Sequence, residues 1–249
     1  MEVIVVEPPD LDRRGAELVA GWLGEHPSAT LMPALGESAL GLYRELAGPR
    51  TTGRFDTRNL RLVQLDEYLG LARGDRRRLR DWLEREVASP LGVPAERVIE
   101  LPSDAADPAA ACRAYDAAVA AAGGVDVAVL GLGPNGHLGF NEPPSGPDAA
   151  TRAVELTDAS IESNARYWGG RDAVPARALT AGMDVILAAR QLLLVVSGAR
   201  KRDVLRRLVV DAPSDDLPAS HLRGIAGAVL LADSAAWPPD LDVSATLSA

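Results

Sequence analysis

One cysteine, one lysine and three histidines are spread over 249 residues, and each shortage excludes something. The lone Cys112 has no partner for a disulfide within the chain and suits a reducing, cytoplasmic setting. His26, His137 and His221 are too scattered to spell a metal site, so neither a metal nor a cofactor is expected. Apolar runs end after about six residues, far short of the roughly 20 a membrane helix needs. The opening "MEVIVVEPPDLDRR" lacks a basic stretch ahead of its apolar run, so no secretory signal and no membrane role are expected. The net charge of −9 argues against nucleic acid as a partner, because such proteins carry a basic stripe. Positive charge comes almost wholly from arginine, a bias typical of GC-rich genomes. Lys201, the one lysine that survives it, therefore draws attention.

What the chain does have is alternation. Short apolar runs at 3–6, 29–34, 60–65, 97–101, 125–130, 191–198 and 227–233 read as strands, with 151–156 as an edge strand. Between them lie helical patterns: one opened by Asp10, "ALGLYRELAG", "DRRRLRDWLEREV", the Ala-rich 107–124, "LTAGMDVILAA" and "ARKRDVLRRLVV". Strands that are apolar on both faces and alternate with helices predict an α/β fold, a mostly parallel sheet with helices on both sides. No linker or repeat interrupts residues 1–236, which read as a single domain; the Pro-rich 237–249 reads as a loosely held tail. In such sheets ligands bind at the carboxyl ends of strands. That singles out Gly36–Ser38, Asp66–Glu67 and the stretch from Gly131 to Glu142.

The last of these, "GLGPNGHLGFNEPPSG" (131–146), contains G-x-G-x-x-G. A dinucleotide fingerprint must open a helix whose N-terminus takes the pyrophosphate. Here Gly139, Pro143 and Pro144 follow instead, so the segment is a loop and the fingerprint reading fails. The loop places His137 and Glu142 together at a strand end. Histidine can both take and give a proton near neutrality, and a carboxylate can orient it.

These residues resemble the signature loop of the glucosamine-6-phosphate deaminase (isomerase) family. "LVQLDEYLGL", "SNARYW", "ALTAGM" and "SGARK" match further family segments in the same order. The related 6-phosphogluconolactonases share the G-x-G-x-x-G-H part but generally not "FNEP". The resemblance implies an isomerising deaminase of an amino-sugar phosphate, by default glucosamine 6-phosphate to fructose 6-phosphate plus ammonia. Asp66 matches the carboxylate that carries a proton between C2 and C1, with Glu67 as a partner acid at the substrate. His137 matches the ring-opening acid and base, with Glu142 and Asn135 orienting it. Gly36, Ser38, Arg166 and Lys201 match the phosphate-binding set. A homo-oligomer stays open as an assembly.

Four departures accompany the match. Asn135 stands where one branch has an aspartate that completes a carboxylate–histidine relay. "DRRRL" (75–79) replaces a family "HP-x-SY"; its arginines read as a solvated helix face or as altered anion binding. Val154 stands where allosterically activated members carry a lysine, which implies no activation by an acetylated amino-sugar phosphate. The phosphate loop also differs, because Glu37 occupies a hydroxyl position. A carboxylate about 5 Å from a phosphate charge, at an effective dielectric near 20, costs roughly 3 kcal/mol per charge pair, on the order of a hundredfold in affinity. A lactonase, an enzyme for a modified or unphosphorylated amino sugar, and a catalytically silent sugar-phosphate sensor are the competing readings.

Overall fold

Runs such as "VIVV", "VAVL" and "QLLLVV" have no polar face, so they can only be strands covered from both sides. The structure, a computed structural model describing residues 1–49, 51 and 53–243, places them so. The strands are β1 (Glu2–Val6), β2 (Thr30–Pro33), β3 (Arg61–Val63), β4 (Asp66–Tyr68), β5 (Val98–Ile99), β6 (Val127–Gly131), β7 (Arg152–Glu155), β8 (Arg177–Thr180), β9 (Gln191–Val196) and β10 (Ala228–Asp233). The helices are α1 (Leu11–Gly24), α2 (Glu37–Leu46) and α3 (Leu79–Leu83), which runs through a π-helical turn (Glu84–Ala88) into α4 (Ser89–Leu91). Then follow α5 (Pro108–Ala121), α6 (Asp158–Trp168), α7 (Met183–Leu187) and α8 (Arg202–Val210).

Seven strands form one parallel sheet in the order β1-β10-β9-β6-β2-β3-β5. One face is covered by α1 and α2 through Val19, Leu42 and Tyr43. The other is covered by α5, α7 and α8 through Tyr115, Ile186 and Leu205. The expected α/β architecture is therefore the observed one. From β2 the chain steps outward to β3 and β5; from β6 it steps the other way to β9 and β10. The order thus reverses between β2 and β6, and the crevice beyond their carboxyl ends is where such folds bind ligands.

A second sheet, antiparallel β4-β8-β7, was not legible in the sequence. Only Gln64 and Leu65 separate β3 from β4, so one apolar run feeds two sheets. "LTAGMDVILAA" is also not one helix. Leu179 and Thr180 end β8, and α7 starts only at Met183; ladder pairing to β4 and β7 overrides the local helical pattern. Helix α6 escaped notice because it is so polar, although its punctuation is regular. Thr157 accepts a hydrogen bond from Ser160 N at 3.2 Å, and Gly169 ends the helix at φ 78°. Trp237, where the tail was expected to begin, is 6% exposed and donates Nε1–H to Leu241 O; residues 244–249 of that tail lie outside the described residues.

Candidate active site

At the switch point opens a cleft of about 610 Å³. Six of the nine residues marked out in the sequence as catalytic or substrate-binding (Gly36, Ser38, Asp66, His137, Arg166 and Lys201) line it. Asn135, Glu142 and Glu67 stand behind its wall.

The signature loop explains its own glycines. A Cβ on Gly133 would lie 2.2 Å from His137 Cδ2, so glycine there makes room for the imidazole. Gly136 takes φ 85° with Leu217 packed where a Cβ would go. These glycines serve a histidine rather than a pyrophosphate. Next in the loop, Asn141 is fully buried and donates to Leu138 O at 3.0 Å and Ala181 O at 2.8 Å. It also accepts from Arg152 Nη1 at 2.8 Å, which ties the loop to the small sheet.

Glu142 Oε2 lies 3.3 Å from His137 Nδ1. The contact is close enough for an ion pair but poorly aligned as a hydrogen bond, and Nδ1 has no other partner. The same Oε2 accepts from Asn135 Nδ2 at 2.6 Å, and Oε1 accepts from Ser160 Oγ. Burial alone would raise the Glu142 pKa. The adjoining His137, Ser160 and Asn135 outweigh burial and hold it at about 2. Asn135 thus orients the carboxylate directly, and it touches His137 only by accepting from its backbone N–H at 3.3 Å.

Asp66 opens β4, paired with Thr180 of β8. Burial, and then the nearby charge of Glu67, lift its pKa to about 7. Glu67, expected at the substrate, is placed elsewhere. Its carboxylate is completely buried and accepts from Tyr68 N, Leu79 N and Arg80 N, each at 2.9 Å, and from Gln64 Nε2 at 3.0 Å. It ties the start of α3 to β4, and its charge acts on the cleft-lining Asp66. Consecutive residues on a strand point to opposite sides, so Asp66 and Glu67 cannot both face the cleft.

At the far end of the cleft Gly36 caps α2 in extended conformation. Arg166 on α6 meets Glu37 at 2.9 Å and donates to Tyr167 Oη at 2.8 Å. Lys201 Nζ donates to Leu132 O at 2.6 Å. Burial, then Arg200 and Arg166, lower the Lys201 pKa, with Glu37 opposing. The "DRRRL" arginines precede α3 and divide: Arg76 is exposed, Arg78 is buried, and Arg77, half exposed, lines the cleft with its guanidinium 4.9 Å from the Trp168 ring centre. Tyr68, Trp168, Arg200 and Ser160 were missed as site residues. The first two carry no signal beyond hydrophobicity, and Arg200 was visible only as the neighbour of Lys201.

The family model for glucosamine-6-phosphate isomerases/6-phosphogluconolactonase matches residues 10–231. A glucosamine-6-phosphate deaminase of Streptomyces avermitilis is 40% identical over 240 residues, covering 95% of this chain and 91% of that protein. One of Shewanella loihica is 37% identical over 234 residues, covering 94% and 87%. Among solved structures, a monomeric glucosamine-6-phosphate deaminase superposes with a TM-score of 0.90 at 32% identity, covering 95% of this chain and 98% of that one. A 6-phosphogluconolactonase from Thermotoga maritima shares the fold, with a TM-score of 0.73 at 19% identity and coverage of 94% and 99%.

Proposed function

The chain belongs to the family of glucosamine-6-phosphate isomerases and 6-phosphogluconolactonases, and from that premise we propose that it is an aldose–ketose isomerising deaminase. It converts glucosamine 6-phosphate and water to fructose 6-phosphate and ammonia. The observation that carries this reading is Asp66: a cleft-lining carboxyl poised at about 7, sharing the cleft with a carboxylate-backed histidine. Lactone hydrolysis needs no base that carries a proton between two carbons.

The residues divide the steps. His137 takes the proton of the anomeric hydroxyl and delivers it to the ring oxygen, and the sugar opens to the aldehyde. Glu142, ionised at neutral pH, stabilises the imidazolium that forms between proton transfers. Asp66 in its carboxylate form takes the C2 proton, giving an enolamine, and returns it to C1. That leaves an iminium at C2, to which water adds; ammonia departs and the ketone remains. A base with a pKa near the working pH suits a proton that must be both taken and given back. The experiment is ammonia release from glucosamine 6-phosphate set beside hydrolysis of 6-phosphogluconolactone. Lactone hydrolysis without ammonia release would overturn the assignment.

The monomeric glucosamine-6-phosphate deaminase that superposes on 95% of this chain supports a monomer as the active unit; sedimentation analysis at working concentration tests it. The phosphorylated substrate and the single, buried thiol of Cys112 support a cytoplasmic site of action.

A further inference from the structure

Four cationic side chains line the cleft: Arg77, Arg166, Arg200 and Lys201. Two already face carboxylates. Arg77 meets Asp75 at 2.6 Å, and Arg166 meets Glu37 at 2.9 Å. Arg200 and Lys201 have no carboxylate within ion-pair reach among the described residues. They share one turn, and that turn is anchored. Asp233, 2% exposed, accepts from Ser197 Oγ at 2.7 Å and from Gly198 N at 3.0 Å.

We infer that Arg200, together with Lys201, is the principal ligand of the substrate's phosphate, and that Glu37 withholds Arg166 from that role. The inference rests on the phosphosugar reading above. Two unpaired cations match the charge of −1.5 to −2 that a phosphate monoester carries near neutrality. Arginine adds a planar fork that grips two phosphate oxygens at once. A phosphate that reached Arg166 would meet the Glu37 carboxylate on the same guanidinium, so the anion must either displace Glu37 or settle on the turn that carries Arg200. Glu37 and Arg166 are both about half exposed, with side chains 52% and 49% accessible, so their pairing adds little to folding stability. Its consequence falls on the ligand.

The test is binding of glucose 6-phosphate and of glucose, followed by tryptophan fluorescence, because Trp82 and Trp168 line the cleft. Wild type is compared with Arg200→Gln, Arg166→Gln, Glu37→Gln and the Glu37→Gln/Arg166→Gln pair. Arg200→Gln should weaken glucose 6-phosphate at least tenfold and leave glucose unchanged. Arg166→Gln alone should cost less than threefold. Glu37→Gln should tighten glucose 6-phosphate several-fold, and in that background Arg166→Gln should cost about tenfold, because Arg166 has been freed. A tenfold loss in Arg166→Gln with no loss in Arg200→Gln overturns the inference, as does a wild type that binds both sugars equally. Glucose 6-phosphate carries no amino group, so the ranking of variants is read independently of ammonia release. A failed deaminase assay with the expected ranking sinks only the reaction; the reverse result sinks only the phosphate assignment.

Discussion

Ser160 Oγ donates to Oε1 of the same carboxylate whose Oε2 lies 3.3 Å from His137 Nδ1. Ser160 is fully buried on α6, the helix that also brings Arg166 to the far end of the cleft. One helix therefore touches both ends of the substrate site. A hydrogen bond to a charged group is worth about 1.5–3 kcal/mol, so Ser160→Ala should lower kcat by roughly ten- to a hundredfold. Ser160→Thr keeps the hydroxyl and should restore most of it. A purely structural serine would lower thermal stability without moving kcat or the pH profile, so all three are measured together.

Asp66→Asn keeps the shape and removes the base. Turnover of glucosamine 6-phosphate should fall by at least about a thousandfold, toward the limit of detection, while a substrate analogue still binds within a few-fold of wild type. Near-normal turnover in the purified variant refutes the proton shuttle.

The same residue predicts two pH effects. In wild type kcat/KM should rise with pH through about 7 as Asp66 ionises. Stability should move the other way. The folded state holds a proton on Asp66 up to about 7, whereas the unfolded chain loses it near the usual aspartate value of 3.8. Folded protein thus binds more protons across that window, and the contribution is lost as pH rises through 7. Asp66→Asn, having nothing to titrate, should gain Tm relative to wild type at pH 8 compared with pH 4. An unchanged Tm difference across that range would show that the carboxyl is not raised.

Gly133→Ala tests why the loop needs its glycine. The new methyl would stand 2.2 Å from His137 Cδ2, and the imidazole must swing away from Glu142. A displacement of about 1 Å at a catalytic group costs on the order of a hundredfold. Activity should fall by that much with Tm lowered only a few degrees. Retained activity would mean that the ring relaxes without losing its alignment.

His137 and Glu142 should behave as one unit. Either His137→Ala or Glu142→Gln should slow ring opening, and the double variant should be little worse than the poorer single one. An open-chain substrate analogue should bypass the defect in His137→Ala. Fully additive losses would separate the two residues.

Much of this was legible along the chain because it depends on neighbours in sequence. Apolar strands alternating with helices specify the layered sheet, since such strands can be buried only between helices. The glycines, His137 and Glu142 fall within one loop, so their association needs no long-range information. Asp66 directly follows an apolar run, which puts it at a strand end.

Tertiary structure decided the rest. Whether Asp66 or Glu67 faces the cleft depends on the strand's two-residue alternation and on which side α3 packs, and α3 claims Glu67 through its backbone N–H groups. The small antiparallel sheet joins segments more than a hundred residues apart, Asp66 with Thr180, through ladder bonds to which local propensity is blind. Along the sequence Glu37 read only as a like charge beside the phosphate, because its partner, Arg166, lies on a helix elsewhere in the chain. Charge along a sequence carries a sign but no distance, and only the folded chain sets the 2.9 Å that pairs the two.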